Sequence, residues 1–287
     1  MRLHLYFAVV AFGALGVSGG LAACSASEAT SALPTTDDTG EVDAAKKSKK
    51  KSTGDSANTD DTGSTEDAAT GGMGDILGTL SGSCGSLRAM IDSPDPSLVD
   101  NKLTFAAGET YDRDALSPGG QRMYDTPNAG GSSTESEVLS YEILRYCEAA
   151  LLEKTETEVT YRPPDDAGPN SITDLLVSIN GEKVGVSVTR AYKPPSMPLT
   201  DTDVKDLLEK KLIGINRSSV RVLPADKWVK QILHVFSVDH DATLAVERVW
   251  KTLDKVLKAD TIVIVTETSG GGFIYCNPDP PLGSECK

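Results

Sequence analysis

The dipeptide Asn180-Gly181 constrains this chain more than any other feature. Asn and Gly both enter the left-handed backbone region at low cost, and together they close a two-residue turn between antiparallel strands. The flanking runs have the alternation that strands require. Leu175, Val177 and Ile179 share one face of 173–179, and Val184, Val186 and Val188 share one face of 184–190. Asp174 falls on the opposite face of the first run, and Ser187 and Thr189 on the opposite face of the second. A tight hairpin therefore brings Asp174 near Ser187 and Thr189.

The pattern around this hairpin extends it into an α/β domain. Residues 136–152 read as a helix with Leu139, Ile143, Cys147, Ala150 and Leu151 on one stripe, opened by a capping box of Thr134 and Glu137. Residues 158–162 read as a short strand closed by Pro163-Pro164. Beyond the hairpin the expected order is a helix over 201–213, a strand over 232–238, a helix over 242–257 and a buried strand over 261–266. The 242–257 helix turns Val246, Val249, Trp250, Leu253 and Leu257 inward. Residues 273–276 are expected to add one more strand. A meander followed by a helix and a crossover strand gives a mixed sheet with helices on its faces.

Upstream the signal weakens. Residues 74–133 are expected to be an irregular segment packed on the 134–287 domain, with a short helix over 86–91. Pro94, Pro96, Pro118-Gly119-Gly120 and Gly130-Gly131 mark loops in this segment. Residues 25–73 are Ser, Thr, Asp, Gly and Ala with almost no large apolar side chain, so they are expected to form a disordered tether. Inside the tether Lys46, Lys47, Lys49, Lys50 and Lys51 form a basic run between acidic stretches. It is open to two readings, contact with anionic lipid or polysaccharide, or a solvated run that keeps the linker extended.

The first 23 residues have the parts of an export signal. Arg2 is the positive start, residues 3–15 are mostly apolar, and small residues follow. The stretch is too short to cross a bilayer comfortably. Leu21-Ala22-Ala23-Cys24 resembles a bacterial lipobox. The resemblance implies a lipoprotein signal peptide over 1–23, cleavage before Cys24, and acylation of that cysteine by palmitate-like chains. Two or more chains would give a stable membrane anchor. The implied address is the bacterial cell envelope, with Ser25 after the cysteine pointing to the outer membrane.

Charge and cysteines narrow the function classes. The chain has 28 basic and 42 acidic residues, net −14. With Arg2 and the five tether lysines taken from the first count, and ten tether acids from the second, the folded part keeps a net charge near −10. A generic polyanion binder shows a basic face, so nucleic acid is disfavoured as a partner and would need a local basic groove. Cys84, Cys147, Cys276 and Cys286 remain after Cys24, an even number that suits disulfides in an exported domain. Three pairings are possible, and Cys84–Cys147 with Cys276–Cys286 is the one expected. Their spacing is not that of zinc ligands, and no Gly-x-Ser-x-Gly elbow is present.

The order of helix, three strands, helix and strand over 134–238, reaching to 266, is similar to the core of the PD-(D/E)xK phosphodiesterase superfamily, the restriction-endonuclease-like fold. The resemblance implies a site built from a Glu on the first helix, an Asp at the second strand and a Glu-x-Lys on the third. The matching positions are Glu137, Asp174 and Ser187-Val188-Thr189. It implies Mg2+ or Mn2+ at Asp174 and Glu137, and hydrolysis of a phosphodiester if the site is active. Ser187 and Thr189 supply neither the carboxylate nor the lysine that such chemistry uses. Lys210 or Lys211 on the next helix is a candidate relocated lysine, with Lys211 the one carried into the site. The expected domain is thus nuclease-like but catalytically degenerate, binding a phosphorylated ligand or a divalent metal. The alternative is a surface binding or structural lipoprotein that uses the fold as a disulfide-stabilised scaffold. Each residue also has a plainer role: Glu137 as a helix cap, Asp174 in a turn, Ser187 and Thr189 as sheet positions, His234 as a satisfied core residue. Residues 128–133 either bind an anion through their amides or form a plain loop.

Overall fold

Seven strands lie in one mixed sheet, in a computed structural model that describes residues 75–129, 134–163, 170–194 and 196–275. All of them fall within the unit Thr65–Lys287. In chain order the elements are β1 (Thr79–Gly82), α1 (Leu87–Ile91), β2 (Ser97–Thr104), α2 (Pro118–Asp125), α3 (Thr134–Glu148), β3 (Leu151–Thr155), β4 (Leu175–Ile179), β5 (Glu182–Ala191), α4 (Asp201–Arg221), β6 (Lys230–Ser237), α5 (His240–Thr252), α6 (Lys255–Lys258) and β7 (Ile262–Ser269). The strand order is β1-β2-β7-β6-β5-β4-β3. Strands β2, β7, β6 and β5 are parallel, and β1, β4 and β3 join antiparallel at the two sides. From α3 to β6 the order is helix, three strands, helix and strand, as expected from the sequence.

The hairpin sets the register. Asn180 and Gly181 have φ of 53° and 85°, as a primed turn demands, and Ile179 pairs with Glu182 across it. The alternation read from the sequence then sorts the side chains. Leu175, Val177, Val184, Val186, Ile232 and Ile264 pack with Val138, Leu139, Ile143 and Leu144 of α3. On the other face Leu233, Val235, Val263 and Val265 pack with Val204, Leu208 and Leu212 of α4 and Val246, Val249 and Trp250 of α5. The sheet is thus covered on both faces, which parallel strands require.

Five sequence expectations need correction. Residues 75–129 are largely loops, as expected, but they also contribute β1, β2 and α2, and β2 extends the parallel part of the sheet beside β7. Polar Asp100, Asn101 and Lys102 interrupt the apolar run of β2 and hide it. The helix over 136–152 stops at Glu148, where Ala149 turns to φ 51°, and Leu151–Thr155 is the strand instead of 158–162. That strand is a sheet edge with the helix-like sequence Leu-Leu-Glu-Lys-Thr, and Leu151 is 66% exposed. Of the expected strand only Tyr161 makes a bridge, to Val222. The helix over 242–257 breaks at Leu253, and Asp254 caps a separate α6. Residues Gly272–Tyr275 form a 3-10 turn, not a strand.

Two covalent and polar ties hold the edges. Cys84 and Cys147 form a disulfide across a sequence separation of 63, joining the segment before α1 to the end of α3. Cys276 and Cys286 lie outside the described residues, as do 1–73. Asp226, buried, accepts from Lys154 Nζ at 2.9 Å and from Thr160 N at 2.8 Å, fixing the chain beyond β3 against the turn before β6. Gly119 and Gly120 let α2 lie on α3: a Cβ at Gly120 would stand 2.2 Å from Glu142 Oε1. No helix among the described residues is long and apolar enough to cross a membrane.

Candidate functional site

Asp174 stands one residue before β4, where the chain enters the sheet beside β5. Its backbone N–H donates to Val186 O at 3.0 Å, and its carboxylate accepts from Val188 N. The carbonyl of the same residue is also engaged: Lys211 of α4 donates Nζ to Val188 O at 2.7 Å. The N–H and C=O of one residue of β5, in successive peptide groups, therefore seat an acid and an ammonium side by side. Burial pushes the Asp174 carboxyl above the usual carboxylate range, opposed by Lys211 and by the Val188 N–H. Leu208, Leu212 and Ile215 of α4 are buried in the core on this face of the sheet, and position 211 beside them brings its side chain to Val188.

Two cavities meet at Asp174. The larger, about 560 Å3, lies between α4 and the segment leading into β4. Ser171, Ser187, Lys210, Lys211 and Arg217 line it together with Asp174. The smaller, about 20 Å3, lies on the α3 side and has room for about one water. Glu137, Asn128, Thr155 and Glu156 line it with Asp174. Asn128 Nδ2 donates to the Glu137 carboxylate at 3.1 Å.

The sequence-derived candidates are thus partly assembled. Asp174, Ser187 and Lys211 share the larger cavity, and Glu137 meets Asp174 at the smaller one. Ser187 Oγ is 3.4 Å from Thr173 Oγ1, which itself donates to Val186 O. Thr189 is buried in the sheet and lines neither cavity, so the expectation that it belongs to the site is not met. Of the 128–133 loop, Ala129 donates its N–H to Glu156 at 2.8 Å, and 130–133 lie outside the described residues. His234 is a core residue, bonded through both ring nitrogens.

Glu156 is the residue that sequence reading missed. It is half-buried, and burial raises its carboxyl despite the Ala129 N–H, with Asp174 raising it further and Lys211 opposing. It sits in the polar run Lys154-Thr155-Glu156-Thr157-Glu158, which has no period to separate an inward acid from an outward one.

The donor set does not suit the divalent ion that the resemblance implies. Among the described residues no group of three or more His, Cys, Asp or Glu side chains is arranged to hold a metal. Asp174 is engaged by Val188 N–H, an ammonium stands beside it, and Ser187 offers a hydroxyl where a carboxylate would bind a hard cation.

No protein-family model matches this chain. Over 168 residues it is 41% identical to the AAC-rich mRNA clone AAC4 protein of Dictyostelium discoideum, a match taking in 56% of this chain and 24% of that one. The chain thus spans about a quarter of the length of that relative. Among solved structures it has a distant likeness to SfsA of Pyrococcus furiosus, determined in complex with Ca2+. That likeness has 14% identity and a TM-score of 0.24, over 48% of this chain and 57% of the other.

Proposed function

We propose that this chain is an exported, lipid-anchored protein whose nuclease-like domain has lost hydrolytic chemistry and binds a phosphorylated ligand. The observation that carries the binding site is the Lys211 ammonium seated on the Val188 carbonyl beside Asp174, at the wall of a cavity that also holds Lys210 and Arg217. Three cations in one concave site suit a phosphate, to which ammonium and guanidinium groups give charge-assisted hydrogen bonds. Burial disfavours the charged form of Asp174, which lessens its repulsion of a phosphate. No step is assigned to a metal.

Calorimetric titration of the full-length chain with inorganic phosphate, in the presence of chelator, tests this reading. Binding is expected, with Lys211→Met weakening it by about tenfold or more and Lys211→Arg restoring most of it, given the worth of a charged hydrogen bond of about 1.5–3 kcal/mol. Absence of phosphate binding in the wild type sinks the proposal. The anchor has its own test: fatty-acid labelling of the chain in a bacterial host should disappear in Cys24→Ser. Labelling that persists in that variant would remove Cys24 as the acylated residue.

A further inference from the structure

The wall of the larger cavity contains a glycine that the packing does not require. Gly214 lies in the middle of α4, where glycine is less favourable than alanine. Its φ is not left-handed, and an added Cβ would meet only the Ser171 side chain, at 3.5 and 3.7 Å, an ordinary contact. What the missing side chain preserves is space beside Ser171 in the cavity.

The charges along the same wall are divided. Asp206, Lys210, Gly214 and Arg217 follow one another at helical spacing, so they lie along one face of α4. Asp206 and Glu209 are acidic at the N-terminal end of this wall, Lys210 and Lys211 follow directly, Arg217 lies beyond Gly214 at the other end, and all five line the cavity. A track for a polymeric phosphate backbone needs cations along its length. Here a second phosphate would meet two carboxylates. Those carboxylates are suited to accept hydrogen bonds from hydroxyl groups. Ile172 and Ile213 supply apolar surface between the ends, and about 560 Å3 is the size of a small-molecule site.

Resting on the phosphate reading above, we infer that the cavity takes a small molecule with a single phosphate on a hydroxyl-rich body, the chemistry shared by sugar phosphates and nucleoside monophosphates. The phosphate lies at Lys211 and Arg217, the hydroxyls face Asp206 and Glu209 at the other end of the wall, and the body passes over Gly214.

The test compares inorganic phosphate, ribose 5-phosphate, adenosine monophosphate and a short single-stranded oligonucleotide by calorimetry on the full-length chain. Ribose 5-phosphate or the nucleotide is expected to bind about tenfold or more tightly than inorganic phosphate, and the tighter of the two identifies the source. Gly214→Leu should erase that advantage. Gly214→Ala should melt at or above the wild-type temperature, showing that the glycine serves the cavity and not the fold. Equal binding of phosphate and its sugar esters, or a Gly214→Leu variant that keeps the advantage, overturns this inference and leaves the phosphate site standing. An oligonucleotide that binds more tightly than either small ligand also overturns it, in favour of a polymer. Loss of all phosphate binding in the wild type overturns both.

Discussion

His234 illustrates how partners decide the state of one side chain. Thr266 Oγ1 donates to Asn101 Oδ1 at 2.6 Å, which uses its only proton. It must therefore accept from His234 Nε2–H at 2.7 Å, and His234 Nδ1 accepts from Ser140 Oγ–H at 2.8 Å. Complete burial holds the imidazole at about 3, well below its ordinary value, so it is neutral in the fold. The unfolded chain takes up a proton near pH 6.5 that the folded chain refuses, so stability falls as pH drops from 6.5 toward 3. The expected loss from this residue between pH 7 and pH 5 is about 2 kcal/mol. Urea denaturation of the wild type and His234→Gln at both pH values measures it: the variant should be less stable at pH 7 and show a smaller drop. An equal drop in both would mean that His234 is not the group responsible. That His234 belongs to the core was legible, because it stands in an apolar strand. Asp174 was legible through alternation, and Lys211 only as one of two adjacent lysines. Glu156 was not, since burial of a charged residue in a polar run depends on tertiary contacts.

Among the elements, those with β-branched alternation and a defined turn were readable, and those shaped by neighbours were not. The hairpin and strands β6 and β7 carry their own pattern in Val and Ile. Strand β2 is held in place by eight residue pairs with β7 despite its polar centre, and β3 sits at an edge where one side stays open. Neither can be seen without the strand beside it. The Cys84–Cys147 link matters at this scale because it ties the start of that less legible region to α3. Closing a loop of this length removes unfolded-state entropy worth about 4 kcal/mol in the chain-entropy model. Replacing both cysteines by serine is expected to cost about 2–4 kcal/mol in denaturant unfolding. A variant as stable as the wild type would show that the link does not bear on folding.

At the scale of the whole molecule, the acidic balance and the site agree. A net charge of −14 repels polyanions, and the cations at the cavity are few and local. The fold brings Lys211 beside Asp174, and Ser187 on the same wall is a hydroxyl and not an acid. On the proposed reading, the site at Asp174 and Lys211 serves binding and not cleavage. The most direct test of that reading is titration of the full-length chain with Mg2+ and Mn2+, followed by DNA and RNA cleavage assays beside Asp174→Ala. The account predicts no specific metal binding and no cleavage that depends on Asp174. Metal binding and cleavage that both vanish in Asp174→Ala would contradict it and make this an active nuclease with a relocated lysine.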